Sequence, residues 1–123
     1  MSEFKAGQIW RYKTRKGEEG SRVYIVQVDN HTKYGRVYHI SIDGLNIQNP
    51  ELTGGVQHQV PHTAVNENAL KDSLIELETT TTQPPDISIG YQLWVDSVTA
   101  GQTGIFNIQV KQLVQFIEDG VSR

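Results

Sequence analysis

Four histidines, at positions 31, 39, 58 and 62, are the side chains of this 123-residue chain best suited to chemistry near neutral pH. Imidazole titrates there and is the commonest metal ligand. His58 and His62 are four residues apart, but on a segment interrupted by Pro61 rather than on a helix. That spacing therefore does not align them, and no carboxylate stands between them in the manner of a zinc-protease helix. His58 alternates in phase with Val56 and Val60, so it is expected at the core or its rim, hydrogen-bonded. His39 alternates with Val37, Ser41 and Asp43, opposite the face of Tyr38, and is expected to be partly exposed. His31 falls in a turn and is expected to be solvated. A three-histidine metal site built from His39, His58 and His62 across neighbouring strands defines one functional alternative, a metal enzyme.

A second constellation surrounds a loop. Arg11, Lys13, Arg15, Lys16 and Arg22 stand beside Trp10, Tyr12 and Tyr24. Cations interleaved with aromatic rings can hold a nucleic-acid backbone while the rings stack on bases. The competing reading places Trp10 and Tyr12 in the core and leaves the cations as a wet loop. Nucleophilic catalysis finds no support, since the chain has no cysteine and no Gly-x-Ser-x-Gly elbow. The glycines at 17 and 20 flank Glu18 and Glu19, which would repel a phosphate, and those two glutamates are expected to be solvated. No residue pattern calls for a cofactor.

The elements that position these residues are strands first and helices later. Residues 8–13 alternate, with Trp10 and Tyr12 on one face; residues 22–28 are β-branched; residues 36–42 carry Tyr38, Ile40 and Ile42 on one face. Residues 29–35 join the last two as a hairpin connection. Val56, His58 and Val60 suggest a fourth strand ended by Pro61. A helix is expected over 66–77, capped by Asn66, with Leu70, Leu74 and Leu77 on one side. Residues 79–86 are read as a connecting loop. Tyr91, Trp94, Val95 and Val98 mark a helix beginning near Gly90, residues 105–108 a short late strand, and Val110, Leu113, Val114 and Ile117 a last helix stopped at Gly120. The expected fold is α+β: antiparallel strands forming a small curled sheet or SH3-like partial barrel, then about three helices with one short late strand. One domain spans 1–123, strand-rich over 1–62 and helix-rich over 63–123.

Charge follows the same division. The net charge of −3 averages eight basic and four acidic residues in 1–40 against three basic and ten acidic in 41–123. Attraction between the two parts within one fold is the expected use of that asymmetry. The absence of cysteine excludes a disulfide scaffold and a thiolate zinc site. No secretory h-region or membrane-length apolar run is present, so a cytoplasmic protein without membrane contact is expected.

The run Gly7-Gln8-Ile9-Trp10, then Gly17-Glu18-Glu19-Gly20-Ser21-Arg22, then Val23-Tyr24-Ile25-Val26 resembles the opening of the small SH3-like barrels of PemK-type messenger-RNA-cleaving toxins. The resemblance covers about a fifth of the chain and implies RNA binding or cleavage at the basic loop. Val23 stands where those toxins carry proline, and no position matches their later catalytic threonine. Ile9-Trp10-Arg11-Tyr12, Asp43-Gly44-Leu45 and Gly104-Ile105-Phe106 are similar to segments of small single-domain bacterial proteins with no assigned site. Together these features favour a non-enzymatic domain that binds another protein, a regulator or immunity-type inhibitor, over nucleic-acid binding through Arg11, Lys13, Arg15, Lys16, Arg22 and Tyr24, and over a metal enzyme. Oligomeric state is not encoded in any pattern found.

Overall fold

The structure is a computed structural model and describes residues 3–122. Seven strands and three helices follow in the order β1 (Gln8–Tyr12), β2 (Arg22–His31), β3 (Gly35–Ile42), β4 (Ile47–Gln48), β5 (Val56–Gln57), β6 (Val60–Val65), α1 (Glu67–Ser73), β7 (Leu74–Thr80), α2 (Ser88–Thr99) and α3 (Val110–Val121). Five strands form one antiparallel sheet in the order β6-β3-β2-β1-β7. β4 and β5 pair separately. The fold is α+β as expected. The sheet is open, with β6 and β7 as its edges and no pairing between them among the described residues.

The sheet is covered on both faces at β3, and this decides where the polar residues end up. On one face Trp10, Tyr12, Val23, Ile25, Tyr38, Ile40 and Ile42 form a core with Leu70 of α1 and Val110, Leu113 and Val114 of α3. Each fully buried aliphatic side chain there contributes about 1.5–3 kcal/mol. The other face carries Val37, His39 and Ala64, and α2 lies over it with Tyr91 and Trp94 against His39. β3 is therefore buried at six successive residues, Val37 to Ile42. His39 is completely buried, which corrects the expectation of partial exposure. That expectation assumed a sheet with one wet face, whereas strands covered on both sides hide both phases of the alternation.

Five local expectations also change. The strand after residue 59 runs through Pro61 instead of ending there, because β6 is an edge and can lack one N–H on its open side. The helix begins as read, with Asn66 accepting from the Ala69 N–H at 3.0 Å, but ends at Ser73 instead of Leu77. From Leu74 the chain becomes β7, so the threonines at 79 and 80 pair with Ile9 and Gln8 rather than forming a loop. Pairing with the open side of β1 outweighs the helical spacing of the leucines. The late strand shrinks to one parallel bridge, Val65 to Phe106. Gly120 lies inside α3, which continues to Val121.

Candidate functional site

Three adjacent strands place a chain of polar side chains beneath α2. In β2, Gln27 and Asp29 share a face, beyond a bulge between Ile25 and Gln27. β3 sets His39 opposite Gln27 on one side and opposite Ala64 of β6 on the other. Asp29 and His62 are therefore the two diagonal neighbours of His39, at the separation where long side chains meet. His39 Nε2 lies 3.0 Å from Asp29 Oδ2, and His39 Nδ1 lies 2.9 Å from His62 Nε2. Tyr91 of α2 donates its hydroxyl to Asp29 Oδ2 at 2.9 Å, and Gln27 donates to Oδ1 at 2.9 Å. The Tyr91 and Trp94 rings meet the His39 ring edge-on at 4.8 and 4.9 Å, fixing its orientation.

The protonation pattern follows from the charges. Burial alone would raise the Asp29 carboxyl pKa, but donors from Gln27, Tyr91 and His39 outweigh it and hold the group below its ordinary range. Burial lowers the His39 pKa against the opposing pull of Asp29. Burial, with the neighbouring His39, pushes His62 down to about 4. At neutral pH Asp29 is thus an anion at one end of a chain of two neutral imidazoles, His39 and then His62. A carboxylate accepts only, so His39 carries its proton on Nε2. His39 Nδ1 is then bare and accepts the Nε2–H of His62. The remaining nitrogen, His62 Nδ1, is an acceptor with no hydrogen-bond partner among the described residues.

His62 lines a groove of about 420 Å³ together with Pro61, Asp86, Ile87, Ser88, Ile89 and Gly90. Gly90 in the first turn of α2 packs on the ring: a Cβ there would lie 2.7 Å from His62 Cβ and 3.2 Å from Nδ1. Only glycine lets the helix come this close. Ser88 gives both its backbone N–H and its side chain to Asp86 and makes no hydrogen bond to His62, so no nucleophile–base pair exists here.

The three-histidine site does not assemble. His58 Nδ1 bonds the Leu45 carbonyl at 2.9 Å, its residue is exposed, and both His39 nitrogens are occupied. Among the described residues no group of three or more His, Asp or Glu can hold a metal. His31 closes its turn, Nδ1 accepting from Lys33 and Tyr34.

The basic loop is likewise committed elsewhere in part. Arg15 forms a two-pronged pair with Glu18 at 2.8 and 2.7 Å and reaches Glu118 of α3 at 3.0 Å. Glu18, expected to be solvated, is only 3% exposed and also accepts the Asn46 N–H at 2.7 Å. Arg22 pairs with Asp43 at 3.2 Å and Glu78 at 3.5 Å and donates to Tyr24. Trp10 and Tyr12 lie in the core, so neither offers a stacking surface. Arg11, Lys13 and Lys16 are exposed and make no ion pair among the described residues, with Glu19 and Glu76 beside Arg11 and Lys13. No described helix is long and apolar enough to cross a membrane. Compared with protein-family models, curated proteins and solved structures, the chain matches none.

Proposed function

We propose that this chain is a non-enzymatic binding domain for another protein, which it receives on the outward row of α2. The observation that carries the reading is the row itself. Ile89 and Leu93, one turn apart, are 80% and 63% exposed, while Tyr91 and Trp94 of the same helix are engaged below. Apolar side chains presented together beside an apolar-walled groove mark interaction surfaces more than isolated ones do. Asp86 and Asp96 stand at the two ends of the row, and α2 contains no basic residue. The partner chemistry that fits is an apolar segment flanked by lysine or arginine. Two features weigh against catalysis and RNA. His62 is too weak a base for efficient general-base work at neutral pH. The arginines that would clamp a phosphate backbone, Arg15 and Arg22, are held in ion pairs within the fold.

Site-specific photo-crosslinking tests this. A crosslinking residue at position 89, expressed in the native host, is expected to trap one stoichiometric partner. Leu93→Glu should weaken that complex tenfold or more, and rising salt should weaken it further. Failure to trap a partner at 89, or an affinity unmoved by Leu93→Glu, refutes the reading.

A further inference from the structure

The relay orients one nitrogen toward open space, and that orientation defines a ligand. Asp29 anchors the chain of protons, each ring passes the polarity on, and His62 Nδ1 is left a bare acceptor beside Gly90, both residues lining the groove. No described side-chain nitrogen or oxygen that is fully buried lacks a hydrogen bond, so this unpartnered nitrogen is reachable from the groove rather than sealed. The groove's apolar walls are Pro61, Ile87 and Ile89, Asp86 and Ser88 line it as a pair bonded to each other, and Gly90 contributes no side chain to block it. A groove of about 420 Å³ is within the range of small-molecule sites, where apolar walls supply affinity and a few polar atoms supply orientation.

We propose that this groove binds a phenol-type group, a neutral hydroxyl donor on an apolar ring, with His62 Nδ1 accepting its hydrogen bond and Pro61, Ile87 and Ile89 lying against the ring. The ring can be a free phenol or a tyrosine side chain. The site stands on the relay and does not depend on the protein-binding reading; a tyrosine source would supply that reading with one anchor.

The relay can also be reversed, which makes the orientation testable. Gln27 donates to Asp29 Oδ1 and Tyr91 to Oδ2; with the Asp29→Asn carbonyl kept toward Gln27, the NH₂ faces His39 Nε2 and the Tyr91 hydroxyl turns to accept from it. His39 must then accept at Nε2 and donate from Nδ1, and His62 must accept at Nε2 and carry its proton on Nδ1. The groove then offers a donor instead of an acceptor.

The experiment is a backbone and imidazole ¹⁵N NMR titration of the full chain with p-cresol, toluene, 4-methylacetophenone and N-acetyl-tyrosinamide. Before ligand, wild-type His62 should show protonation on Nε2 and Asp29→Asn on Nδ1. p-Cresol should shift Ile87, Ile89 and Gly90 and bind about tenfold more tightly than toluene, the value of one hydrogen bond. His62→Phe, which keeps a ring but no acceptor, should lose that preference. The acceptor-only ketone should bind Asp29→Asn better than wild type. Binding of N-acetyl-tyrosinamide alongside p-cresol assigns the site to a tyrosine side chain, and binding of p-cresol alone assigns it to a free phenol. Protonation of wild-type His62 on Nδ1, or p-cresol binding no tighter than toluene, overturns the proposal.

Discussion

Replacing His62 with glutamine should flatten the acid end of the stability curve, and the size of the effect follows from burial. Folded His62 has its pKa pushed down to about 4 from the ordinary 6.5. The folded value is the lower one, so as pH falls the unfolded chain takes up the proton first. Stability is therefore fully present above pH 6.5 and is lost as pH falls from there through 4. Between about pH 7.5 and pH 4.5 the linkage corresponds to roughly 2.5 kcal/mol for a group with those two values. His62 is only half-buried, and solvent screening reduces this to about 1–2 kcal/mol. Glutamine is the informative substitute because its amide can still donate to His39 Nδ1 but cannot take up a proton. His39 and Asp29 are also displaced downward and remain in both proteins, so their contributions largely cancel in the comparison. Urea unfolding followed by tryptophan fluorescence, repeated in half-unit pH steps, measures the two curves. They should converge toward low pH by about 1–2 kcal/mol. Parallel curves over that window would refute the assignment of His62 as a buried neutral imidazole.

Three other outcomes follow from packing and charge. Gly90→Ala in an exposed helix would stabilise by up to about 1 kcal/mol; here its Cβ meets His62 at 2.7 Å, so thermal denaturation should show a loss of about 1–3 kcal/mol. Arg15→Ala leaves Glu18, 3% exposed, without its two-pronged partner, and should cost about 3–5 kcal/mol, much of it recovered when Glu18→Gln is added. Leu113→Ala should cost about 2–5 kcal/mol, whereas Leu93→Ala should stay within about 0.5 kcal/mol, because the first is fully buried in the core and the second stands in solvent.

The legible parts of the fold are those written in local periodicity. Tyr38, Ile40 and Ile42 declare a core-facing strand, Asn66 a helix start, and Tyr91, Trp94, Val95 and Val98 the inner face of α2. What local pattern misreads is decided by partners far along the chain. The leucines at 70, 74 and 77 fit a helix, yet the last two belong to β7 because β1 offers an unpaired edge. Glu18 reads as a loop residue because its burial is compensated by Arg15 and by the N–H of Asn46, which is far along the chain. The relay is the clearest instance. His39 and His62 stand out by type, but Asp29 lies in what reads as a turn, and only the β2 bulge and the pairing of β3 with β6 bring the three together. The signal that could have found Asp29 is continuation of the β2 alternation past Val28. The charge division, by contrast, is explained by the structure: Arg15–Glu118 and Arg22–Glu78 join the basic opening to the acidic remainder.

The energetic position of the relay separates it from the ion pairs. Arg15 and Glu18 fasten a loop, and removing either partner strands a charge. Asp29, His39 and His62 fasten nothing that apolar side chains could not. They lie between a sheet face and a helix that already bring together Val37, Ala64, Trp94 and Val95. Taking a carboxylate and two imidazoles out of water costs several kcal/mol, which their mutual hydrogen bonds offset only if every member is satisfied. Replacing such a network by hydrophobic residues of similar volume is often neutral or stabilising. Stability alone therefore gives this face no reason to hold them. The imidazole nitrogen of the network that the described residues leave without a hydrogen bond is His62 Nδ1, on a residue that lines the groove beside Ile89. A network that costs desolvation and leaves one ring nitrogen free beside a groove is accounted for by what that nitrogen binds rather than by stability.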